Sequence, residues 1–502
     1  MISQNQKPVI LLYNPKVALP GYQRLPHSLL QLGGMLDGRY TYEIVDGNLD
    51  QERDRAAEII EQVRRDGVRY LGVTIMPGPQ LQQAVPDIKR IKAACPDLIV
   101  VVGGYFPTNH VNTCSKDPTI DYIVISAGED TLLELLDTLE AGGDPASVAG
   151  LAFERDGKVI QTPKRMPRDP NEQPWFPYGK VPVDRYVSKT HLGTRTLSHH
   201  SSFGCPFFCN FCAVVNLAEG RWLAEKAERL GELMQYFVDN WQINAMEFHD
   251  NNFFVSEKRV MAFCEDLLRR GLKISWWGEG RIDTMLKFSP RTWALMRDSG
   301  LKMVFMGAES GDDHTLQLMN KGGSLTAEKT LEMAAHALKY DIVPEFSFIL
   351  GNPPDSRADV LRGIEFIRKV KAVNPYVEII MYRYDPVPLA GEMWQGALDS
   401  GFRFPQTLDE WIDPHWERVQ LRRTADIPWF SVDDRTLMRD FETVLNAYYP
   451  TTTDRRLHRG IWKPLLHTLS GWRYQRRFYR WPVELRTMQR LMRYQRPETS
   501  GF

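Results

Sequence analysis

The chain has 502 residues, which is enough for two or three domains with separate cores. Its 62 basic and 63 acidic side chains give a formal net charge of −1, and this balance argues against a general nucleic-acid binder, which needs a basic excess for phosphate contacts. Three of the six cysteines lie close together and the other three are scattered, which argues against a disulfide framework. The N-terminus is polar and no apolar run approaches ~20 residues, so we expect a cytoplasmic protein.

Short apolar runs alternate with helical patterns over residues 1–150. The predicted strands are 9–13, 42–45, 70–75, 98–102 and 122–125, and the predicted helices are 28–36, 54–65, 81–94 and 131–139. Strands separated by helices in this way are typical of a doubly wound parallel sheet, which binds ligands at the carboxyl ends of its strands.

Small and polar residues follow these predicted strands. Glycine at such an end lets the backbone lie against a large flat ligand, although ordinary turns have a similar composition. The candidate binding residues are Asn14, Asp46, Asn48, Thr74, Gly103, Gly104, Thr108 and Glu129.

A hairpin and a linker are predicted over residues 151–194. Asp156 and Gly157 are typical of a type I′ hairpin turn, and the following residues 162–182 are rich in proline and charge. Strand and helix patterns then resume over 195–391, with strands predicted at 196–201, 245–249, 273–277, 303–306, 345–350 and 377–382.

Three cysteines with CxxxCxxC spacing follow the first strand of this second series: Cys205, Cys209 and Cys212. Thiolates hold four-iron four-sulfur clusters, normally with four ligands, so three thiols on one loop leave one iron open to a substrate or cofactor. Zinc is the alternative, but it favours four ligands in paired spacing, and no second pair follows.

This loop resembles that of the radical S-adenosylmethionine (SAM) enzymes, in which it follows the first strand of a partial (β/α) barrel. The chain is similar, over roughly residues 8–390, to the branch with an N-terminal cobalamin-binding domain. That branch includes methyltransferases and anaerobic magnesium-protoporphyrin ester cyclase. The resemblance implies a cobalamin-binding doubly wound sheet over 1–150, a partial (β/α)6 barrel over 195–391, and three cofactors: a 4Fe-4S cluster on the cysteines, SAM and cobalamin.

One motif of other cobalamin proteins is missing. The DxHxxG motif supplies a histidine to the lower face of cobalt, whereas Asp46 is followed here by Gly47, Asn48 and Leu49. Because members of this branch often lack the motif, the resemblance implies a corrin without a cobalt-bound histidine from this position.

The remaining motifs lie at predicted strand ends of the barrel. Asp250 and Asn251 resemble the family's DDxF segment and could bind the SAM amino group, with a helix cap as the alternative. Arg281 could pair with the SAM carboxylate or ribose, or simply with Asp283. The resemblance also implies contacts from Glu309 and Ser310 to the ribose and methionyl part of SAM, and a close backbone approach to adenine at Gly351.

A helical C-terminal domain is predicted over residues 392–502. Between 455 and 496, arginines alternate with aromatic residues. Such a helix could lie on an anionic membrane or hold a lipid-like substrate. The interpretation we favour is a helical cap, with aromatic side chains packed on the barrel and arginines facing water.

The resemblance implies radical chemistry that starts with cleavage of SAM by an electron from a donor such as flavodoxin or ferredoxin. We expect methyl transfer to an unactivated carbon of a small-molecule or lipid-like substrate. Oxidative cyclisation of the magnesium-protoporphyrin ester type shares every motif and is the alternative. A cobalamin-binding sensor without catalysis is a third hypothesis, but a sensor does not need an open iron.

Overall fold

The computed structural model describes residues 9–18, 21–321, 323–389, 391–420, 427–450 and 462–491. Contacts group the described chain into two compact units. One takes its residues from Met1–Tyr186, Ala213–Glu225 and Arg403–Arg423, and the other from Val187–Cys212, Lys226–Phe402 and Thr424–Phe502. The chain therefore leaves the first unit and returns to it twice. The division predicted from the sequence instead has four contiguous segments, 1–150, 151–194, 195–391 and 392–502, and it stays a prediction.

The first unit contains a seven-stranded sheet in the order β2-β1-β3-β4-β5-β6-β7, whose first five strands in sequence run parallel. The strands β6 and β7 form an antiparallel hairpin on β5. The strands are β1 (Ile10–Asn14), β2 (Tyr42–Asp46), β3 (Tyr70–Thr74), β4 (Ile99–Gly103), β5 (Tyr122–Val124), β6 (Leu151–Arg155) and β7 (Lys158–Gln161). Asp156 and Gly157 both have positive φ, 52° and 75°, as a type I′ turn requires.

Helices cover both faces of this sheet. Ile59, Ala84 and Ile88 belong to one buried cluster, and Leu29 and Leu135 belong to another on the opposite face. The helices are α1 (His27–Leu36), α2 (Arg55–Asp66), α3 (Pro79–Ala94), α4 (Tyr105–Asn109), α5 (Val111–Cys114) and α6 (Glu129–Glu140). The prediction of a doubly wound parallel sheet is confirmed.

The second unit is built on six parallel strands in the order β15-β14-β13-β12-β11-β8. The remaining strands among the described residues are β8 (Thr196–His199), β9 (Ser202–Gly204), β10 (Trp222–Ala224), β11 (Ala245–Phe248), β12 (Ser275–Gly280), β13 (Leu301–Glu309), β14 (Val343–Leu350) and β15 (Glu378–Arg383). The sheet is open between β8 and β15. It therefore has the architecture of a partial (β/α)6 barrel, as predicted.

Helices alternate with these strands and then form a C-terminal layer. They are α7 (Val214–Ala218), α8 (Ala227–Trp241), α9 (Glu257–Arg270), α10 (Ile282–Met285), α11 (Pro290–Asp298), α12 (Asp313–Leu318), α13 (Ala327–Leu338), α14 (Ser356–Val373), α15 (Glu392–Asp399), α16 (Leu408–Trp411), α17 (Pro414–Gln420), α18 (Val432–Tyr448), α19 (Trp462–Gln475) and α20 (Val483–Leu491). In the second unit α18 packs on α14, and α19 and α20 pack on α18. In the first unit α16 packs on α3.

The described part of the chain contains no helix that is long and apolar enough to cross a membrane. The predicted arginine-rich segment is described only in part, because residues 455–461 and 492–496 lie outside the described residues.

Candidate active site

The three cysteines lie on a loop that starts directly after β9. Gly204, at the end of β9, has a φ of 80°, a conformation that favours glycine. Two asparagines hold the loop against the end of α12. Asn210 donates hydrogen bonds from its backbone to the Met319 carbonyl (2.9 Å) and from its side chain to the Leu318 carbonyl (2.8 Å). The Asn320 side chain donates to the Phe208 carbonyl (2.8 Å), so the loop has a defined conformation.

A buried cation lies beside the thiols. Nη1 of Arg281 is 3.5 Å from Sγ of Cys209, and its guanidinium carbon is 3.8 Å from the ring centroid of Phe207. Burial raises the pKa of the Cys205 thiol, whereas the Phe207 backbone N–H and the Arg281 charge favour its thiolate. A set of thiolates and a compensating guanidinium fits an anionic iron–sulfur cluster.

No three Cys, His, Asp or Glu side chains converge among the described residues as the ligands of a single metal ion do. In a four-iron cluster each thiolate binds a different iron atom, so the ligands need not converge on one point. With three thiols on one loop and one cation beside them, the residues present fit the cluster.

Arg281 forms the ion pair with Asp283 that the sequence left as an alternative. Its Nε and Nη2 donate to the two carboxylate oxygens at 3.0 and 2.9 Å, and Nη2 also donates to the Lys321 carbonyl at 2.6 Å. With Nη1 directed at Cys209, four of the five guanidinium hydrogens have acceptors. Arg281 therefore positions the cysteine loop, and the predicted contact with SAM stays a prediction.

The segment after β11 differs in detail from the prediction. Asp250 is fully buried and accepts hydrogen bonds from the Ser201 backbone (3.1 Å) and side chain (2.8 Å) and from the Ser202 hydroxyl. Asn251 is exposed, whereas the next residue, Asn252, is buried and directs its Nδ2 toward Sγ of Cys205 at 4.0 Å.

Neither Asp250 nor Asn251 caps the following helix, because the side chain of Ser256 caps α9. Asp250 instead connects the ends of β8 and β11. Asn252, which the sequence motif did not single out, approaches the cysteine loop. The predicted binding of the SAM amino group by Asp250 and Asn251 stays a prediction.

Glu309 and Lys321 form a buried ion pair beneath the cysteine loop. Glu309 has a φ of 61°, and its carboxylate accepts from Lys321 Nζ and from the Ser347 hydroxyl at 3.5 Å. Lys321 Nζ also lies 5.4 Å from the ring centroid of Phe211 in that loop. A side chain at Gly307 would collide with this pair. Lys321 belongs to no predicted motif, and no pattern in the sequence pointed to it.

Ser310, the other residue predicted with Glu309, takes part in local backbone structure. Its hydroxyl accepts a hydrogen bond from the Asp312 backbone at 3.2 Å. The predicted contacts of Glu309 and Ser310 with SAM therefore stay predictions.

The backbone at Gly351 already has partners. Its N–H donates to Asp359 (2.8 Å), and its carbonyl accepts from Trp429 Nε1 (3.0 Å). Its φ is 76°, and a Cβ there would overlap the ring of Phe430, so the C-terminal segment covers this side of the turn. The predicted approach of adenine to this backbone stays a prediction.

Two polar atoms next to Gly351 are buried without a hydrogen-bond partner in the described structure: Oδ1 of Asn352 and the hydroxyl of Tyr384. Tyr384 follows β15, which pairs with β14, and its backbone N–H donates to the Leu350 carbonyl at 3.2 Å. Asn352 and Tyr384 are therefore candidate ligand-binding residues at the carboxyl ends of these two strands.

Acidic side chains from several strands of the second unit interact with one another. Trp277 Nε1 donates to Glu345 at 3.1 Å, and His249 Nε2 lies 3.2 Å from Glu247. Burial, with nearby Glu378, Glu247 and Glu279, raises the pKa of Glu345 to about 8. We call Glu247, Glu279 and Glu345 the acidic wall of the sheet.

In the first unit, the polar residues at the ends of β1 and β2 form one buried network. Asp46 accepts from the side chains of Asn14 (3.0 Å), Asn48 (2.9 Å) and Tyr186 (2.7 Å). Burial raises the pKa of Asp46, and these hydrogen bonds oppose that increase. Asn48 in turn accepts from the backbone of Val17 and Ala18. These residues bind one another and fix the edge of the sheet.

The polar residues at the ends of β3, β4 and β5 are more accessible. Thr74, Gly103, Gly104, Thr108 and Glu129 are all half-buried. Gly104 has a φ of 98°, and a Cβ there would lie 3.1 Å from the Thr74 hydroxyl. The Ser126 backbone donates to the Thr108 hydroxyl (3.0 Å). This accessible edge has the close-lying backbone that fits a flat corrin ring.

Comparison with known proteins identifies both units. The family model of the B12-binding domain matches residues 18–136, and that of the radical SAM superfamily matches residues 200–367. An uncharacterized methyltransferase of Pyrococcus horikoshii is 28% identical over 351 residues, which are 69% of this chain and 73% of that protein. The anaerobic magnesium-protoporphyrin IX monomethyl ester cyclase of Synechocystis is 27% identical over 332 residues, which are 64% of this chain and 64% of the cyclase.

A solved structure shares the fold along nearly its whole length. It is the radical S-adenosylmethionine methyltransferase TsrM from Kitasatospora setae with cobalamin and a 4Fe-4S cluster bound. The TM-score is 0.67 at 17% sequence identity, covering 97% of this chain and 99% of TsrM. With both family models matched in order, the chain belongs to the radical SAM enzymes that carry an N-terminal cobalamin-binding domain, and its cofactors are a 4Fe-4S cluster, SAM and cobalamin.

Proposed function

We propose that this enzyme transfers a methyl group from SAM to an unactivated carbon of a small-molecule substrate. The observation that carries the proposal is the combination, in one chain, of a three-thiol loop and a B12-binding sheet with an accessible carboxyl edge. The name of the Pyrococcus horikoshii relative supports methyl transfer. When bound, the cluster supplies the electron that cleaves SAM, and cobalamin carries the methyl group.

The residues of the chain hold and orient these groups. Cys205, Cys209 and Cys212 hold the cluster, and Arg281, fixed by Asp283, keeps a positive charge beside it. Asn252 approaches the first thiol. Thr74, Gly103, Gly104, Thr108 and Glu129 provide the edge that holds the corrin.

We further propose that the substrate binds against the acidic wall. Glu247, Glu279 and Glu345 contribute carboxyl groups from three strands of one sheet, with Trp277 and His249 next to them. Because burial raises the pKa of Glu345 and keeps its carboxyl group protonated at neutral pH, a substrate that offers both hydrogen-bond donors and acceptors suits such a surface. A flavodoxin-like or ferredoxin-like electron donor and a cytoplasmic location complete the proposal.

The two SAM-derived products test methyl transfer. Each methylation consumes one SAM to form 5′-deoxyadenosine and a second SAM to form S-adenosylhomocysteine, so anaerobic turnover with the true substrate yields both in equal amounts. Candidate lipids, tetrapyrroles and peptides are incubated with the reduced, cobalamin-loaded enzyme, and the products are measured by mass spectrometry. A substrate that gains one methyl group together with both products supports the proposal.

Oxidative cyclisation is the second candidate, supported by the Synechocystis cyclase at 27% identity. A cyclase needs no methyl donor and forms 5′-deoxyadenosine without matching S-adenosylhomocysteine. That product pattern would contradict methyl transfer and support cyclisation. A protein that binds cobalamin but never cleaves SAM in the presence of a reductant would instead be a sensor.

A further inference from the structure

The turn between α19 and α20 presents apolar side chains to solvent. The exposed fractions are 55% for Trp472, 43% for Phe478, 70% for Trp481 and 62% for Val483. The rings of Trp472 and Phe478 are 5.7 Å apart. Leu465 and Leu469 precede Trp472 at helical spacing and are also exposed. We call these six residues the aromatic patch.

The buried side chain of Arg473 stabilises the backbone conformation of this turn. Arg473 is buried, and its guanidinium donates to the carbonyls of Phe478 (3.3 Å), Arg480 (2.9 Å) and Trp481 (3.2 Å). It also pairs with Glu484 at 3.0 Å. One buried side chain therefore binds three backbone groups of the same turn.

The turn contains two residues with a left-handed backbone, Arg477 (φ 56°) and Trp481 (φ 51°). Such a conformation is unfavourable for residues other than glycine, so other contacts must stabilise it. The Trp481 N–H donates to Asp440 at 3.0 Å, which is one such contact. A large aromatic side chain is thus held in an exposed position by a strained but well-bonded turn.

Other aromatic and aliphatic residues of the same hairpin form its core. Leu466, Tyr474, Tyr479 and Leu485 are buried. The predicted cap, with packed aromatic side chains and exposed arginines, therefore agrees with the buried Tyr479. It is wrong for Trp472, Phe478 and Trp481, which face water, and for the buried Arg473. Since the hairpin has its own core, the aromatic patch is not needed for packing within the described chain.

The exposed charges around the patch are positive. Arg476, Arg477 and Arg480 are all exposed in the turn, and Arg490 is exposed on α20. Arg476 and Arg480 form no ion pair with any described residue, while Arg477 pairs with Glu365. The nearby acids Asp440 and Glu484 are already neutralised by Arg486 and Arg473.

Tryptophan and arginine together match the boundary between lipid headgroups and acyl chains. Aromatic side chains prefer this depth, and basic residues are attracted to anionic headgroups. An anionic bilayer therefore satisfies both the apolar and the basic side chains of the turn.

We propose that the α19–α20 hairpin is a peripheral docking surface for an anionic lipid bilayer. Trp472, Phe478 and Trp481 insert at the headgroup level, and Arg476 and Arg480 bind lipid phosphates. The surface is independent of the reaction, so it is tested separately from methyl transfer.

The test is sedimentation of the full-length protein with vesicles of phosphatidylcholine alone or with about 30% phosphatidylserine. We expect at least about tenfold tighter binding to the anionic vesicles, and a strong decrease in binding at high salt. The double variant Trp472→Ser/Trp481→Ser and the double variant Arg476→Gln/Arg480→Gln should each lose about tenfold in affinity.

Matched controls use exposed residues of the same type elsewhere in the second unit. Leu361→Ser/Tyr376→Ser removes two exposed apolar side chains, and Arg291→Gln/Arg297→Gln removes two exposed arginines. Both controls should bind as the parent does, and thermal melts establish that all variants are folded.

Equal binding of the parent to both vesicle types, or unchanged binding of both patch variants, would overturn the proposal. Self-association that the patch variants abolish, without vesicle binding, would assign the surface to a second copy of the chain.

Discussion

Arg281 shows how one side chain serves several structural elements at once. Its guanidinium group lies beside Cys209, donates hydrogen bonds to both carboxylate oxygens of Asp283, and lies over the ring of Phe207. Because a buried charge needs both a counter-ion and hydrogen bonds, this arrangement keeps the cation in place near the cysteine loop.

The cysteines of the loop should differ sharply from the remaining cysteines in their effect on activity. Replacing Cys209 with alanine removes a cluster ligand, so we expect loss of the cluster's absorbance and a decrease of at least about a hundredfold in SAM cleavage. Cys264 is the control, because burial raises the pKa of its thiol to about 12 and keeps it protonated. Normal SAM cleavage by Cys209→Ala would contradict the assignment of the cluster.

Glu345 should make stability depend on pH. Burial and the neighbouring carboxylates raise the pKa of its folded carboxyl group to about 8, above the ordinary pKa of 4.5 that applies in the unfolded chain. Raising the pH across this window therefore favours unfolding. Glu345→Gln removes this dependence and keeps an acceptor for Trp277. We therefore expect the free energy of unfolding of the variant, relative to that of the parent, to be higher at pH 9 than at pH 5 by more than about 1 kcal/mol.

Urea unfolding of the parent and the variant at both pH values measures this gain. Glu232→Gln is the control, because Glu232 is an exposed residue in the middle of α8. A gain that is equal at the two pH values would show that Glu345 is ionised in the folded protein throughout.

At the scale of elements, alternating patterns predicted the strands of both sheets to within a few residues. A run of β-branched and aromatic residues between two helical patterns is typical of a buried strand, so the strands at Leu98–Val102 and Val377–Tyr382 could be predicted from the sequence. The partners of the polar residues could not be predicted, because side-chain direction at a strand end depends on the turn that follows. Lys321 pairs with Glu309, and Asn252 rather than Asn251 approaches Cys205.

The C-terminal segment was the least predictable element. Its composition suggested a cap, but nothing in the pattern indicated that Trp429 and Phe430 cover the turn after β14. Such contacts join residues far apart in sequence, and periodicity carries no information about them.

The contact between Gly351 and Phe430 gives a prediction about this element. Gly351→Ala adds a methyl group that overlaps the Phe430 ring and places a non-glycine residue at φ 76°, so we expect a loss of about 2–4 kcal/mol in the free energy of unfolding. Phe430→Ala in the same background should recover part of this loss by removing the overlap. Chemical denaturation of the two single variants and the double variant measures the coupling, and purely additive losses would refute the steric explanation.

At the scale of the whole molecule, the axial ligation of bound cobalamin can be predicted. Asn48 stands where the DxHxxG motif has its histidine, and its side chain donates a hydrogen bond to Asp46. We therefore expect the cob(II)alamin form of the loaded protein to show no nitrogen superhyperfine splitting from an axial ligand in its electron paramagnetic resonance spectrum. Observed splitting, lost on substitution of a histidine, would identify a protein ligand that the sequence motif does not supply.

The discontinuous first unit also constrains the order of folding during synthesis. Leu408 and Trp411 belong to the buried cluster that includes Leu11, Leu71 and Val100 of its sheet, and Trp411 packs edge-on against Phe106 at 5.1 Å. A ribosome must therefore translate the whole barrel before this core has its last side chains. The first unit spends that interval with apolar surface uncovered, so chaperone binding during translation should decrease only once residues 403–420 have emerged.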